Sequence, residues 1–328
     1  MTQSDDDRSA LLGVDIGGTK IAVGLVSSDG KIAYQLRAPM VANQGPEAAF
    51  EAVTAAVDLL REQHSTPILG IGLCAPGPLD PRRGVVLNPP NLPCWRNFAL
   101  ASRAAEKYGV PVKVDNDANA AALAEARWGV ARGYRHVFYA TIGTGIGTGI
   151  VLDGQIYHGH TGSAGEGGHM SIDYHGPVCG CGKRGCIEAF AAGPAIGARA
   201  RAKIAANADR NSKMVALAHG RVDEITSKTV GDAYAAGDYL ARQLLVETAD
   251  LLAVWLGNVV DMLDPDVIVM GGGVAAMLTP FFETIKKELP AWSVNPNSSK
   301  IPLLTAHYGA DAGIAGGAAL IAEKEPGS

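Results

Sequence analysis

The sequence predicts an α/β fold in two domains, and three observations carry that prediction. Short apolar runs alternate with stretches of helical period along the chain. A strand, glycine turn, strand pattern occurs twice, in LLGVDIGGTKIAVGLV and in HVFYATIGTGIGTGIVLDGQI, so the chain reads as a duplication of pattern with a strand hairpin heading each half. At 328 residues, 47% of them apolar, it is also long for a single core.

The elements follow in order. Residues 11–26 form two strands around the turn DIGGTK, and SSDG with KIAYQLRAPM gives a hairpin turn and a third strand. PEAAFEAVTAAVDLLREQH has helical period. ILGIGLCAPGP is a buried strand closed by a Pro/Gly turn, NFALASRAAEKYG is a helix, and PVKVDNDANAAALAEARWG is a strand running into a helix. In residues 136–156 the LDG hairpin repeats the earlier SSDG. Beyond a cysteine cluster, PAIGARARAKIAANA and DYLARQLLVETADLLAVWLGNVVDML are helices, DVIVM is a strand leading into GGGV, and AGIAGGAALIAEK is the last helix. The two tails read as disordered.

Composition excludes several classes of function. A net charge of −5 and a pI near 5.9 suit neither phosphate backbones nor anionic lipid, so nucleic-acid and membrane partners are not expected. The start, MTQSDDDRSA, is acidic where a signal peptide is basic, and no run of 18 apolar residues appears. Five cysteines are too few for a disulfide scaffold. The expectation is a soluble cytoplasmic protein.

Two glycine turns are candidate phosphate cradles. At Asp15 to Lys20, Gly17 and Gly18 let backbone N–H groups approach an anion, Thr19 adds a hydroxyl and Asp15 suits Mg²⁺ through water. A hairpin that needs glycine only for its turn explains the same residues. A second threonine–glycine turn, Thr141 to Gly149 with Thr144 and Gly145 at its tip, favours a nucleotide held between the two. GxxxxGK[ST] is absent, because Thr19 follows Gly18 where lysine is required. Gly271-Gly272-Gly273-Val274-Ala275-Ala276 meets GxGxxG/A after a strand, but no convincing acid follows at the spacing a dinucleotide site needs. It reads as an adenosine-facing loop, with a dinucleotide site as the rival.

VDNDANAAALAEA carries the candidate chemistry. Asp117 at a strand–helix junction would serve as an N-cap, or as the base that takes a proton from an attacking hydroxyl. Asp115 is the alternative base, expected to face the same side. In VCGCGKRGCIE, Cys179, Cys181 and Cys186 cannot all pair with one another. Glycines at 180, 182 and 185 let the chain wrap three sulfurs around a tetrahedral Zn²⁺, which the spacing favours over a redox role. The fourth ligand is open among His169, His175, His158 and His160. Such a closed site is structural, and it would fix Glu166 and Glu188, whose carboxylates suit sugar hydroxyls. The competing explanation is that these are solvated loop charges.

Together DIGGTK, APGPLD, NPPNLPCW, VDNDANAAALAE, TIGTGIGTGI, AGEGGH, CGCGKRGCIEAFAAG and DPDVIVMGGGV resemble the ROK family (repressors, open reading frames, kinases) over nearly the whole chain. The resemblance implies an actin-like ATPase, ribonuclease H-like fold of two α/β domains around a central cleft. The small N-terminal domain would comprise residues 9–117 plus 308–328, and the larger, with the zinc loop, residues 118–307. It implies an ATP-dependent kinase using Mg²⁺, acting on the 6-hydroxyl of a hexose, and a homodimer. Asp117 would be the base. Gly77, Asn116, Asp117, Glu166, His169 and Glu188 would bind sugar. Asp15, Gly17, Gly18, Thr19, Lys20, Thr144, Gly145, Gly271 and Gly272 would bind Mg·ATP. The resemblance assigns the zinc to His169, Cys179, Cys181 and Cys186. The family's repressors carry an N-terminal helix-turn-helix; with only about ten polar residues before the first strand, a DNA-binding role is not expected. Three functions follow in order: a glucose kinase, favoured by NPPNLPCW with APGP; a kinase of N-acetylmannosamine or N-acetylglucosamine; and a non-catalytic sugar sensor.

Overall fold

The hairpin expected at the head of the chain is present: β1 (Ala10–Ile16) and β2 (Lys20–Val26) run antiparallel, with Leu11 opposite Val26 and Ile16 opposite Ile21. Both are buried almost throughout, which is why they read as continuous apolar runs rather than alternating ones. β3 (Ile32–Pro39) lies at the edge and is largely exposed. α1 (Pro46–Gln63) starts on a proline, whose missing N–H has no helical partner there in any case, and buries Phe50, Val53, Val57 and Leu60. β4 (Ile68–Ala75) pairs parallel with β1. The short strands β5 (Leu79–Asp80) and β6 (Val85–Val86) pair with each other. α2 (Leu100–Tyr108) ends at Gly109 in the left-handed region, and β7 (Val112–Asn116) pairs parallel with β4 before running directly into α3 (Asp117–Arg127). The sheet order is β3-β2-β1-β4-β7.

The computed structural model describes residues 9–206 and 212–322. The chain tails, residues 207–208 of the helix expected over 194–208, and residues 323–328 of the segment expected to complete the small domain lie outside the described residues.

β8 (His136–Ile142), β9 (Ile146–Leu152) and β10 (Gln155–Ile156) repeat the opening hairpins. After them come α4 (Glu188–Ala191), α5 (Gly193–Ala206), α6 (Lys213–Leu217), α7 (Ser227–Ala235) and α8 (Tyr239–Leu263). The chain then forms β11 (Val267–Gly271), α9 (Gly273–Leu278), α10 (Phe282–Trp292), β12 (Leu303–Thr305) and α11 (Ala312–Ile321). This sheet has the order β10-β9-β8-β11-β12. Counted by appearance within each sheet, both read third, second, first, fourth, fifth, so the duplication seen in the sequence pattern is a duplication of topology.

The chain divides into two compact units: Met1–Tyr139 with Gly149–Gly165 and Ala306–Ser328, and Ala140–Thr148 with Glu166–Thr305. In the first, α11 sits backbone to backbone on the sheet. A Cβ on Gly13 would lie 1.8 Å from the Ile314 carbonyl oxygen, and one on Gly72 only 1.6 Å from that of Gly317. Glu125 of α3, buried, accepts from the amides of His307 (2.7 Å), Tyr308 (3.1 Å) and Val130 (3.0 Å), tying α3 to the approach to α11. In the second unit α8 is the central helix. It is long and apolar enough to cross a membrane, but Leu244, Leu245, Leu252, Trp255 and Leu256 are buried inside the unit, as in the core helix of a globular domain.

Candidate active site

In the first unit the candidate residues gather at the ends of β1, β4 and β7. The register sets Asp15 beside Cys74 and Cys74 beside Asp115 across three neighbouring strands. Cys74 is fully buried; burial first, then the charges of Asp15, Asp117 and Asp115, raises its thiol well above the ordinary range. It donates to the Gly313 carbonyl at 3.2 Å, which makes it a packed, protonated thiol. Asp15 lies against Gly313, where a Cβ would come within 2.4 Å of its carboxyl carbon. Its pKa is pushed up to about 6, by burial first and then by the charge of Asp117, against the pull of Lys20 and Arg37.

The cap of α3 is Asn116, not Asp117. The Asn116 side-chain oxygen accepts from the amides of Ala118 (2.9 Å) and Asn119 (3.4 Å). Asp117 is therefore the first helical residue, where it accepts from the Ala118 amide at 2.8 Å and remains exposed. Asp115 is not presented beside it. Strand alternation stops where the helix starts, and Asp115 is only 3% exposed, 2.6 Å from Nε2 of His158 and accepting from the Asn119 side chain at 3.1 Å and the Asn116 amide at 2.7 Å. Those contacts engage both of its oxygens. Gly77, followed by a cis Gly77–Pro78 bond, places its Cβ position 3.6 Å from the Asn116 side-chain nitrogen. At the first glycine turn, the Gly17 amide donates to the Lys20 carbonyl at 2.9 Å, with Thr19 and Lys20 exposed at its tip.

In the second unit one carboxylate joins the other glycine turn to the cysteine loop. Glu188 accepts from the Ile146 amide at 2.9 Å, and its other oxygen lies 3.5 Å from Sγ of Cys179 and 3.8 Å from Nδ1 of His169. Gly145 has no side chain because a Cβ there would lie 2.7 Å from Glu188. Gly143 at this turn donates to the Gly145 carbonyl at 2.9 Å, and Thr144 is exposed between them. The EGGH segment is a single 3₁₀ turn, Gly167–His169, following Glu166. Thr148 accepts from the Gly167 amide at 2.8 Å, the indole N–H of Trp255 donates to the Gly167 carbonyl at 3.0 Å, and Gly168 packs against the Ile146 carbonyl with room for no Cβ. These contacts fix the backbone that carries Glu166, whose side chain is exposed, and His169.

Ligand atoms of His169, Cys179, Cys181 and Cys186 all lie within 4.8 Å of one another. Tetrahedral zinc requires about 3.8 Å between two sulfurs and about 3.6 Å between sulfur and imidazole nitrogen. Cys181 and Cys186 are 3.7 Å apart, too far for a disulfide, and Cys179 is 3.6 Å from Nδ1 of His169. Burial raises the thiols of Cys179 and Cys186, a cost a bound cation would remove. The donor set and its spacing fit zinc. Of the other histidines considered for that role, His158 is the partner of Asp115.

A cavity of about 810 Å³ opens beside the same glycine turn, lined by Gly143, Thr144, Gly193, Ser227, Gly273 and Met277 among others. Gly193, Ser227 and Gly273 open α5, α7 and α9, so helix starts converge on it. Gly271 ends β11, and Gly272 caps α9 at φ 87°, where a Cβ would strike the Ile142 carbonyl at 2.3 Å.

The ROK family model matches residues 11–324. The chain belongs to the ROK family. It is 35% identical over 316 residues to a glucokinase of Streptomyces coelicolor, covering 96% of this chain and 98% of that one. It is also 35% identical over 317 residues to an N-acetylmannosamine kinase of Escherichia fergusonii, with the same coverage. A ROK family glucokinase from Streptomyces griseus, solved with glucose and AMPPNP, matches at 33% identity with a TM-score of 0.79, covering 95% of this chain and 99% of that one. The fold of this ROK protein is the actin-like ATPase fold, α/β and two-domain. Sequence reasoning missed the residues that hold the ROK motifs in place: Asn119, Thr148 and Trp255. Trp255 carried a signal, because a buried indole N–H needs an acceptor. His158 was weighed only as a metal ligand.

Proposed function

We propose that the protein is an ATP-dependent hexose kinase that transfers the γ-phosphoryl group of ATP to the 6-hydroxyl of glucose. The observation that carries this reading is the division of labour at the start of α3: Asn116 caps the helix and His158 engages Asp115, so Asp117 is the carboxylate presented at the strand end. In this role Asp117 accepts the proton of the 6-hydroxyl as its oxygen attacks the γ-phosphorus and the bond to the bridging oxygen of ADP breaks. Asn116, Glu166, His169 and Glu188 bind the remaining hydroxyls, with Gly77 leaving space beside Asn116. The turns at Gly17, Gly18, Thr19 and Lys20 and at Thr144 and Gly145 offer backbone N–H groups and hydroxyls to the phosphates. The cavity beside Gly273 suits adenosine, and Gly271 and Gly272 shape its edge.

Asp15, a hard oxygen donor that feels the charge of Asp117, suits Mg²⁺. The cation, when bound, neutralises charge on the transferring phosphates. Zn²⁺ held by His169, Cys179, Cys181 and Cys186 is structural, since four protein ligands leave no open position. The homodimer and the cytoplasmic location come from the family resemblance and the composition; light scattering tests the first.

ADP release measured with glucose, mannose, N-acetylmannosamine and N-acetylglucosamine tests the activity. Turnover highest on glucose is the expected outcome. Turnover confined to an N-acylated sugar would move the protein to the second reading, supported by its similarity to the N-acetylmannosamine kinase. Sugar binding without ADP release from any of them would make it a sensor.

A further inference from the structure

We propose that His158 is a positioning residue for phosphoryl transfer: acting through Asp115, it fixes the start of α3 and with it the carboxylate of Asp117. The proposal rests on the reading of Asp117 as the base. A carboxylate only 3% exposed costs stability unless donors meet its oxygens, and Asp115 has three. One oxygen accepts from the Asn116 amide at 2.7 Å and from the Asn119 side chain at 3.1 Å. Those two residues stand on either side of Asp117 in the chain, so that oxygen spans the first turn of α3. The other oxygen lies 2.6 Å from Nε2 of His158. A carboxylate only accepts, so Nε2 carries the hydrogen.

The pairing of β7 with β4 ends at Asn116, so side chains hold the junction beyond it. Two donors to Asp115 belong to that junction; the third, His158, comes from 43 positions away. The segment that carries His158 is itself held. The Tyr157 amide donates to the Ile150 carbonyl at 2.8 Å, and the His158 carbonyl accepts from the Ala164 amide at 3.1 Å, closing a loop on itself. Within that loop a Cβ on Gly162 would lie 3.1 Å from Cδ of Pro81, so the loop packs closely on its neighbour. The imidazole therefore ties the strand end to a second, independently braced segment. A reacting group displaced by about 1 Å loses on the order of 10²-fold in rate, so a residue that touches no substrate can set kcat.

Turnover of the full chain on the best sugar of the panel, counted per sugar-binding site by calorimetry, tests the role. His158→Ala removes the donor, and His158→Phe removes it while keeping a ring, so one of them reports even where the other fails to fold. Either should lower kcat about ten-fold, the loss of one charge-assisted hydrogen bond. The sugar KM should change little, because Asn116 keeps its own cap bonds to Ala118 and Asn119. His158→Gln restores a neutral N–H donor and should return kcat to within about two-fold of wild type. Asp115→Ala removes the acceptor; in that background His158→Ala should add no further loss beyond about two-fold, the ordinary error of additivity. Wild-type kcat in the alanine and phenylalanine variants overturns the proposal. So does a glutamine variant as slow as they are, or a full second loss in the Asp115→Ala background. Asp117→Asn separates the two levels of the reading. Slow turnover there beside wild-type turnover in His158→Ala overturns this proposal alone. Wild-type turnover in Asp117→Asn, or none in the unaltered protein, sinks the kinase reading and the proposal with it.

Discussion

The two glycine turns occupy equivalent places in sheets of the same topology, yet they are furnished differently. At the end of β1 the acidic group is built into the strand: Asp15 precedes Gly17 by two residues and is pushed up to about 6 by burial and then by Asp117. At the end of β8 the corresponding strand residue is Thr141, and the carboxylate comes from Glu188, 42 positions from the Ile146 amide it engages. The duplication repeated a backbone and not a chemistry. The first unit sets two acids close enough that the charge of Asp117 adds to burial in raising the pKa of Asp15. The second sets Glu188 against a loop that three thiols and an imidazole gather into one place.

The largest break in this comparison is on the reactive side. Asp117→Asn keeps the shape and the first-turn position but cannot take a proton. It should lower kcat about 10³-fold while sugar affinity, read by calorimetry, changes little. Wild-type turnover in that variant would remove Asp117 from the base role.

On the braced side, the metal comes next. Mass spectrometry under native conditions should find one zinc per chain, and Cys186→Ser should lose it. With the buried thiols unbraced, Glu166, His169 and Glu188 lose their fixed spacing, and sugar affinity should fall more than ten-fold, the upper range for disturbed metal shells. Metal-free protein that still binds glucose at wild-type affinity would show that the chain alone holds the loop.

A smaller effect compares two glycines of one turn. A Cβ added at Gly143 would meet nothing within 4 Å, whereas one added at Gly145 would meet Glu188 at 2.7 Å. Gly145→Ala should push Glu188 off the Ile146 amide and raise the sugar KM about ten-fold, the worth of one charge-assisted hydrogen bond. Gly143→Ala, with no such clash, should leave the sugar KM near wild type. Equal sugar KM values in the two variants would mean that Glu188 does not depend on Gly145 for its place.

Much of this was legible in the sequence. Strands β1, β2, β4 and β8 announce themselves because apolar side chains fill both faces, and the thiol cluster because glycines flank every sulfur. Helices α4, α6, α7, α9 and α10 and strands β5, β6 and β12 were not anticipated. α4, α6, α9 and the three strands are too short to show a period, and α10 carries Pro290 inside it. The identity of the cap was not legible either. Asn116 and Asp117 are both good caps, and only the point at which β7 ends decides between them. The positions of Glu188 and His158 depend on contacts more than 40 residues apart, and local pattern does not encode these.

The gentlest test returns to the acid pair. Asp15 has a folded pKa of about 6 against an ordinary 3.8, so the native state binds its proton more tightly than the unfolded chain does. Its contribution to stability is fully present below about pH 4 and is lost as pH rises through about 6. With the carboxylate partly solvated, the penalty at neutral pH is on the order of 1–3 kcal/mol. Asp15→Asn cannot ionise. Without nucleotide or Mg²⁺, it should therefore gain in Tm over the wild type between pH 4 and 7, by a few degrees at pH 7 and by nothing at pH 4. Asp117→Asn should lower the Asp15 pKa and give part of the same gain, because it removes the second cause of the shift. A Tm difference that is flat across this range would mean that the two aspartates do not share a field, and the contrast between crowded acids in one unit and braced acids in the other would lose its first half.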